Sequence, residues 1–140
     1  MDSTTLVVPP LDAGRKLLQD LERDAKHLDF KAAFWLLDAE TRRWRLILAT
    51  PLVSTQGPLH VYEVVQKYLL RRPARYQFAL PDITVVAPHD RLVRALRERT
   101  DLQPTDTAPI HLFNASVGDM FIEDAYVYRL ETLPGKRNAA

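Results

Sequence analysis

Apolar residues near the start of the chain recur at three- and four-residue steps, then give way to an unbroken apolar run and strict alternation. That change of period predicts a helix followed by strands. Leu11, Leu18, Leu21, Ala25 and Leu28 share one face of a helix expected from Asp12 to Leu28, with Asp12 as its N-cap. Gly14 weakens the first turn by roughly 1 kcal/mol relative to Ala. The outer face, with Asp20, Glu22, Arg23, Asp24 and Lys26, reads as solvated. The stretch KAAFWLLDAETRRWRLILATP then predicts a β-hairpin. Ala32 to Leu37 is apolar throughout, as expected of an interior strand covered on both faces. The second strand alternates, which directs Trp44, Leu46 and Leu48 to one face and Arg43, Arg45 and Ile47 to the other.

Pro51 ends that strand, STQGP reads as a loop, and Pro58 opens a second helix near Leu59 to Leu70. Its buried stripe is Val61, Tyr62, Val65, Tyr68 and Leu69. Asp82 to Pro88 is a short β-branched strand leading into a third helix, HDRLVRALRERT, with Leu92, Val93 and Leu96 inward. Strands over Ile110 to Ala115 and within Met120 to Leu130 close the pattern, joined through Val117-Gly118-Asp119. The expected order is α-ββ-α-β-α-ββ, an α+β (mixed α/β) fold with three helices around one mixed sheet of about five strands. Residues 1–10, which end in Pro9-Pro10, form an arm or edge strand, residues 11–131 a single domain, and residues 132–140 a flexible tail.

At 140 residues one domain is expected, and ordinary hydrophobic (46%) and charged (26%) fractions exclude wholesale disorder. The chain has no cysteine, so thiolate metal sites, disulfides and a cysteine nucleophile are ruled out together. The N-terminus has no basic start or long apolar core, and no apolar run nears the roughly 20 residues that span a bilayer. A cytoplasmic protein without a membrane partner is therefore expected.

The net charge of +1 conceals a segregation: residues 42–100 sum to +7, while residues 1–41 and 101–140 sum to −3 each. Such a middle segment steers polyanions unless acidic surface covers it. Arg43, Arg45, Arg71, Arg72, Arg91 and Arg94 are the candidate nucleic-acid contacts, on charge alone. Tyr76 and Phe78 beside Arg75 either stack on bases or pack as apolar residues.

Motif chemistry is sparse. Four glycines, at 14, 57, 118 and 135, build neither a P-loop nor a Rossmann fingerprint. The four histidines, His27, His60, His89 and His111, show no metal-ligand spacing, and neither metal nor cofactor is expected. Pro81-Asp82 suits the start of a nuclease carboxylate motif, but no acidic-x-Lys strand follows in register, and no Gly-x-Ser-x-Gly is present. Glu123-Asp124 reads as a solvated hairpin turn. The most site-like segment is VVAPHDRL, where His89 and Asp90 lie past the end of a strand and at the start of a helix. Either they belong to a ligand or enzyme site, or Asp90 caps the helix and His89 is exposed.

A complete hydrophobic plan with no assembled reactive group leads to an expected non-catalytic interaction domain. Its partner is another protein or a second copy, engaged through Phe121, Tyr126 and Tyr128 or the apolar arm TLVVPP. Nucleic-acid binding through the arginines and a ligand or enzyme site at His89 and Asp90 are the two alternatives.

Overall fold

Two hydrophobic cores meet at one strand. A computed structural model describes residues 8–105 and 108–133, so most of the expected arm and residues 134–140 of the expected tail lie outside the described residues. Strand β1 (Ala32–Leu37) turns Ala33, Trp35 and Leu37 to one core and Ala32 and Phe34 to the other, and all five are buried. This is the two-sided burial that its unbroken apolar run requires.

The hairpin forms as expected, with β2 (Trp44–Ala49) antiparallel to β1 from Leu37↔Trp44 to Ala32↔Ala49. Its turn is held by the Asp38 carboxylate, which accepts the amides of Glu40 and Thr41, and those bonds draw the Asp38 pKa down. Trp44 is buried, while the side chains of Arg43 and Arg45 are 71% and 41% exposed. Strand β3 (Ile83–Val86) runs parallel to β2, and β4 (Ile110–Val117) pairs antiparallel with β5 (Met120–Leu130). Strand β5 in turn lies antiparallel to β1, which gives one mixed sheet in the order β3-β2-β1-β5-β4.

Helix α1 (Leu11–Asp24) and helix α3 (Leu59–Arg71) cover one face through Leu17, Leu21, Val61 and Val65, packed on Trp35, Leu46, Leu48 and Val85. Helix α4 (Arg91–Arg97) covers the other through Val93 and Leu96, packed with Phe34, Ile47, Leu112 and Val127. The α+β architecture stands, with three differences in detail. The segment read as the STQGP loop begins in a short helix, α2 (Leu52–Gln56), ended by Gly57 at φ +80°. That makes four α-helices among the described residues, not three.

Helix α1 also starts one residue early, behind Pro10 and without a side-chain cap. Asp12 sits in its first turn and pairs with Arg15 and Lys16. The helix stops at Asp24, and a 3₁₀ turn at Lys26–Leu28 carries Leu28 into the core, with Asp29 left-handed at φ +51°. Finally, Glu131–Leu133 lies against the body of the fold: the Glu131 amide donates to Lys31 O and the Leu133 amide to Arg97 O, both at 2.8 Å.

Two irregularities shape β4 and β5. A register shift at Tyr128 turns both Tyr128 and Arg129 toward α1, where Arg129 pairs with Glu22 at 2.6 Å. Further along, Leu112 and Ala115 both face the α4 core although they are three residues apart, as do Ala125 and Ile122 opposite them. Asn114, left-handed at φ +49°, absorbs this reversal on β4.

Trp35 and Tyr128 are the two largest fully buried side chains, and each carries a polar group that must be matched. The indole Nε1–H donates to the Tyr128 hydroxyl at 3.0 Å, and that hydroxyl donates to Leu11 O at 2.5 Å. Gly14 makes the approach possible: a methyl group there would lie 2.6 Å from Trp35 Nε1 and 2.7 Å from the hydroxyl. Gly14→Ala should therefore destabilise the fold by about 1–3 kcal/mol through overpacking. Helix propensity alone predicts the opposite sign, by about 1 kcal/mol. Urea unfolding of the two proteins distinguishes these outcomes.

Candidate functional site

Most arginines of the basic middle segment meet a carboxylate. Arg42 pairs with Glu123 (2.8 Å), Arg45 with Asp38 (3.8 Å), Arg75 with Asp20 (2.8 Å), Arg91 with Asp119 (2.6 Å) and Arg99 with Asp101 (2.6 Å). Each of these pairs joins the basic middle to one of the acidic ends, so the charge segregation of the sequence folds back on itself. Arg43 pairs with Asp82 at 3.2 Å and Arg94 with Glu98 at 3.5 Å. Arg71 lies over the Tyr68 ring, 5.0 Å from its centroid, and Arg72 follows at the exposed end of α3.

Asp20, read as solvated, is buried, because it lies three residues after Leu17 on the inner side of α1. Arg75 donates to both of its oxygens, through Nε at 2.8 Å and through a terminal nitrogen at 3.3 Å, and the Tyr76 hydroxyl donates to it as well. Burial works to raise the Asp20 pKa, but the Arg75 and Tyr76 hydrogen bonds outweigh it, and the net shift is downward. Tyr76 is thus a buried partner of Asp20, and Phe78 packs edge-on against Trp35 with ring centroids 5.2 Å apart.

Glu123 and Asp124 lie within β5, not in a turn. Glu123 holds Arg42, and Asp124 lies 2.6 Å from Nε2 of His111 on the neighbouring strand. The His111 ring stacks flat on Tyr126, with centroids 4.1 Å apart and planes 2° from parallel. Tyr126 leans on Trp44 at 5.8 Å, and His111 on Phe113 at 6.0 Å. An aromatic row therefore runs from the buried Trp44 to Phe113, which is 62% exposed. Phe121, across from Ser116, is 66% exposed. Phe121 and Tyr126 were expected here from composition, whereas Tyr128, expected with them, is buried in the core beneath α1. Phe113 was not expected, since alternation from Leu112 says only that it points away from that core, not that the opposite side lacks a helix.

His27 and His60, 33 residues apart in the chain, bring their Nε2 atoms to 3.0 Å. Among the described residues no group of three or more His, Cys, Asp or Glu side chains converges as a metal site.

Asp90 caps α4, accepting the Val93 amide at 3.3 Å. His89 lines a surface cleft of about 420 Å³, together with Arg94, Arg97, Pro51, Pro88 and Leu133. Pro51 and Pro88 follow the ends of the parallel pair β2 and β3, where open sheets with parallel strands place their ligands. Asp90 itself is not among the lining residues. The buried lining residue is Arg97, which is 9% exposed.

No protein-family model, curated protein or solved structure matches this chain. The residues themselves carry the functional argument.

The Asp20 cluster gives a stability test. A carboxyl whose pKa is lower in the folded than in the unfolded chain stabilises the fold above its unfolded value, near 3.8, and loses that contribution as pH falls through the folded value. Asp20→Asn should cost about 1–3 kcal/mol at pH 7, the penalty for leaving buried donors unmatched. The gap to the parent protein should narrow below pH 4. Denaturant midpoints taken from pH 7 to pH 3 measure both.

Proposed function

We propose that this chain is a non-catalytic interaction domain that pairs with a second copy of itself through strand β4 and the aromatic face beside it. The observation that carries this reading is the exposed pair Phe113 and Phe121, on a part of the sheet that α1 and α3 leave uncovered. Both rings stand on strands, and the His111–Tyr126 stack and the Asp124 contact fix the row next to them. Rigid aromatic surface of this kind favours an interface, because little side-chain freedom is lost on association.

The edge favours a second copy as the occupant. Among the described residues strand β4 ends the sheet, so one side of its backbone has no strand partner there. Its sequence IHLFNASV contains no Lys, Arg, Asp, Glu or Pro, the residues that usually protect an edge from pairing. An uncharged strand meeting its own twofold image brings no like charges together, and the same patch serves both partners. The opposite edge, β3, offers only four residues, Ile83–Val86.

The ion pairing of Arg43, Arg45, Arg91 and Arg94 leaves the nucleic-acid reading with weaker support than the aromatic edge. Among the described residues no helix is long and apolar enough to cross a membrane.

Sedimentation across a concentration series tests the proposal. A dimer should form at micromolar concentration. Phe113→Ser and Phe121→Ser should each weaken it about tenfold or more, as central aromatic anchors do, without lowering the melting temperature of the monomer. A constant monomer mass up to about 100 μM, where a tenfold-weakened pair would still associate, removes the second copy as the partner.

A further inference from the structure

Arg97 is 9% exposed, and among the described residues little balances its charge. Within the fold its Nε–H donates to Glu131 O at 2.7 Å, and among the described residues no carboxylate lies within ion-pair distance of its guanidinium. The two terminal nitrogens carry four further N–H groups that no hydrogen bond among the described residues satisfies. A buried cation with unmatched donors is costly unless an anion completes it. Arg97 forms part of the wall of the cleft at the ends of β2 and β3, so an anion can reach it from solvent.

We propose that this cleft binds the phosphate of a small organic phosphomonoester. Arg94 stands three residues before Arg97 and lines the same cleft, so two guanidinium groups serve one ligand. The bond from Nε to Glu131 O fixes the plane of the Arg97 fork and leaves its outer edge for a two-oxygen contact of the kind phosphates accept. The pairing of Arg94 with Glu98 is long at 3.5 Å and joins side chains that are 66% and 55% exposed, so releasing it costs little.

Among the described residues no carboxylate lines the cleft, and two fixed positive charges match a dianion better than a monoanion. Ser54 and Thr55 add hydroxyls and His89 an imidazole, while Pro51, Pro88 and Leu133 supply apolar surface for the organic part. A volume of about 420 Å³ lies in the range of small-ligand sites. This site is separate from the aromatic edge, and neither proposal depends on the other.

Titration calorimetry at constant ionic strength, with phenyl phosphate, inorganic phosphate and benzoate as probes, tests the assignment. Phenyl phosphate should bind saturably, tighter than inorganic phosphate and at least tenfold tighter than benzoate. Arg94→Gln and Ser54→Asp change exposed or rim positions and should leave the melting temperature in place. Each should weaken phenyl phosphate about tenfold or more. Arg97→Lys keeps the charge but loses the fork, and should weaken it as well. Absence of saturable binding to the folded parent protein overturns the proposal. Equal affinity for benzoate overturns the dianion assignment, and unchanged affinity in both Arg94→Gln and Ser54→Asp overturns the location.

Discussion

The fold depends on how two buried polar atoms at its centre are satisfied. Trp35 projects from the middle strand into the core beneath α1, and its N–H has no water to turn to. Tyr128, from the neighbouring strand, accepts that hydrogen and passes its own to the Leu11 carbonyl at the first turn of α1. One hydroxyl thus connects the central strand, its partner across the sheet and the helix above them. Burial pushes the Tyr128 pKa well up, so the proton needed for this relay stays in place through the physiological range. Gly14 lets α1 come close enough, and the register shift in β5 aims Tyr128 at it. Removing any one of these features leaves a donor or acceptor stranded in an apolar core.

Charge is organised by the same closure. In sequence the chain has a basic centre between acidic ends, an arrangement that suggests a polyanion partner. In the fold, Asp20, Asp119 and Glu123 return to Arg75, Arg91 and Arg42. The exposed pairs among these contribute little to stability individually. Their larger effect is to break up the positive field that the sequence implies. Arg97 departs from this pattern, since it is buried and has no acidic partner among the described residues.

Much of the architecture was legible because it depends on local periodicity. The two-sided burial of AAFWLL, the inward Val93 and Leu96, the Asp90 cap and the strand assignments follow from spacing and residue type. What escaped depends on partners far away in sequence. Asp20 looked solvated because only Arg75 and Tyr76, more than fifty residues on, make its burial tolerable. Glu123 and Asp124 looked like a turn because the strand that accommodates them is held by Arg42 and His111. Helix α2 lacks the apolar stripe that would mark it, and none of its residues is buried. The residues lining the cleft split in the same way. The place of His89 after a strand follows from the sequence, whereas the lack of an acidic partner for Arg97 among the described residues appears only in the fold.

The place of β1 has a consequence for the order of assembly. One of its neighbours, β2, follows almost at once in the chain, but the other, β5, is the last strand among the described residues, and Trp35 meets Tyr128 across 93 residues. Contacts that span so much chain must close a large loop before they return any stabilisation, and they slow folding. During synthesis from the N-terminus the hairpin can form early, yet its central strand keeps an open, strongly apolar edge until nearly the whole domain has been made. In that interval the exposed side of AAFWLL is the segment most prone to pair with the wrong strand.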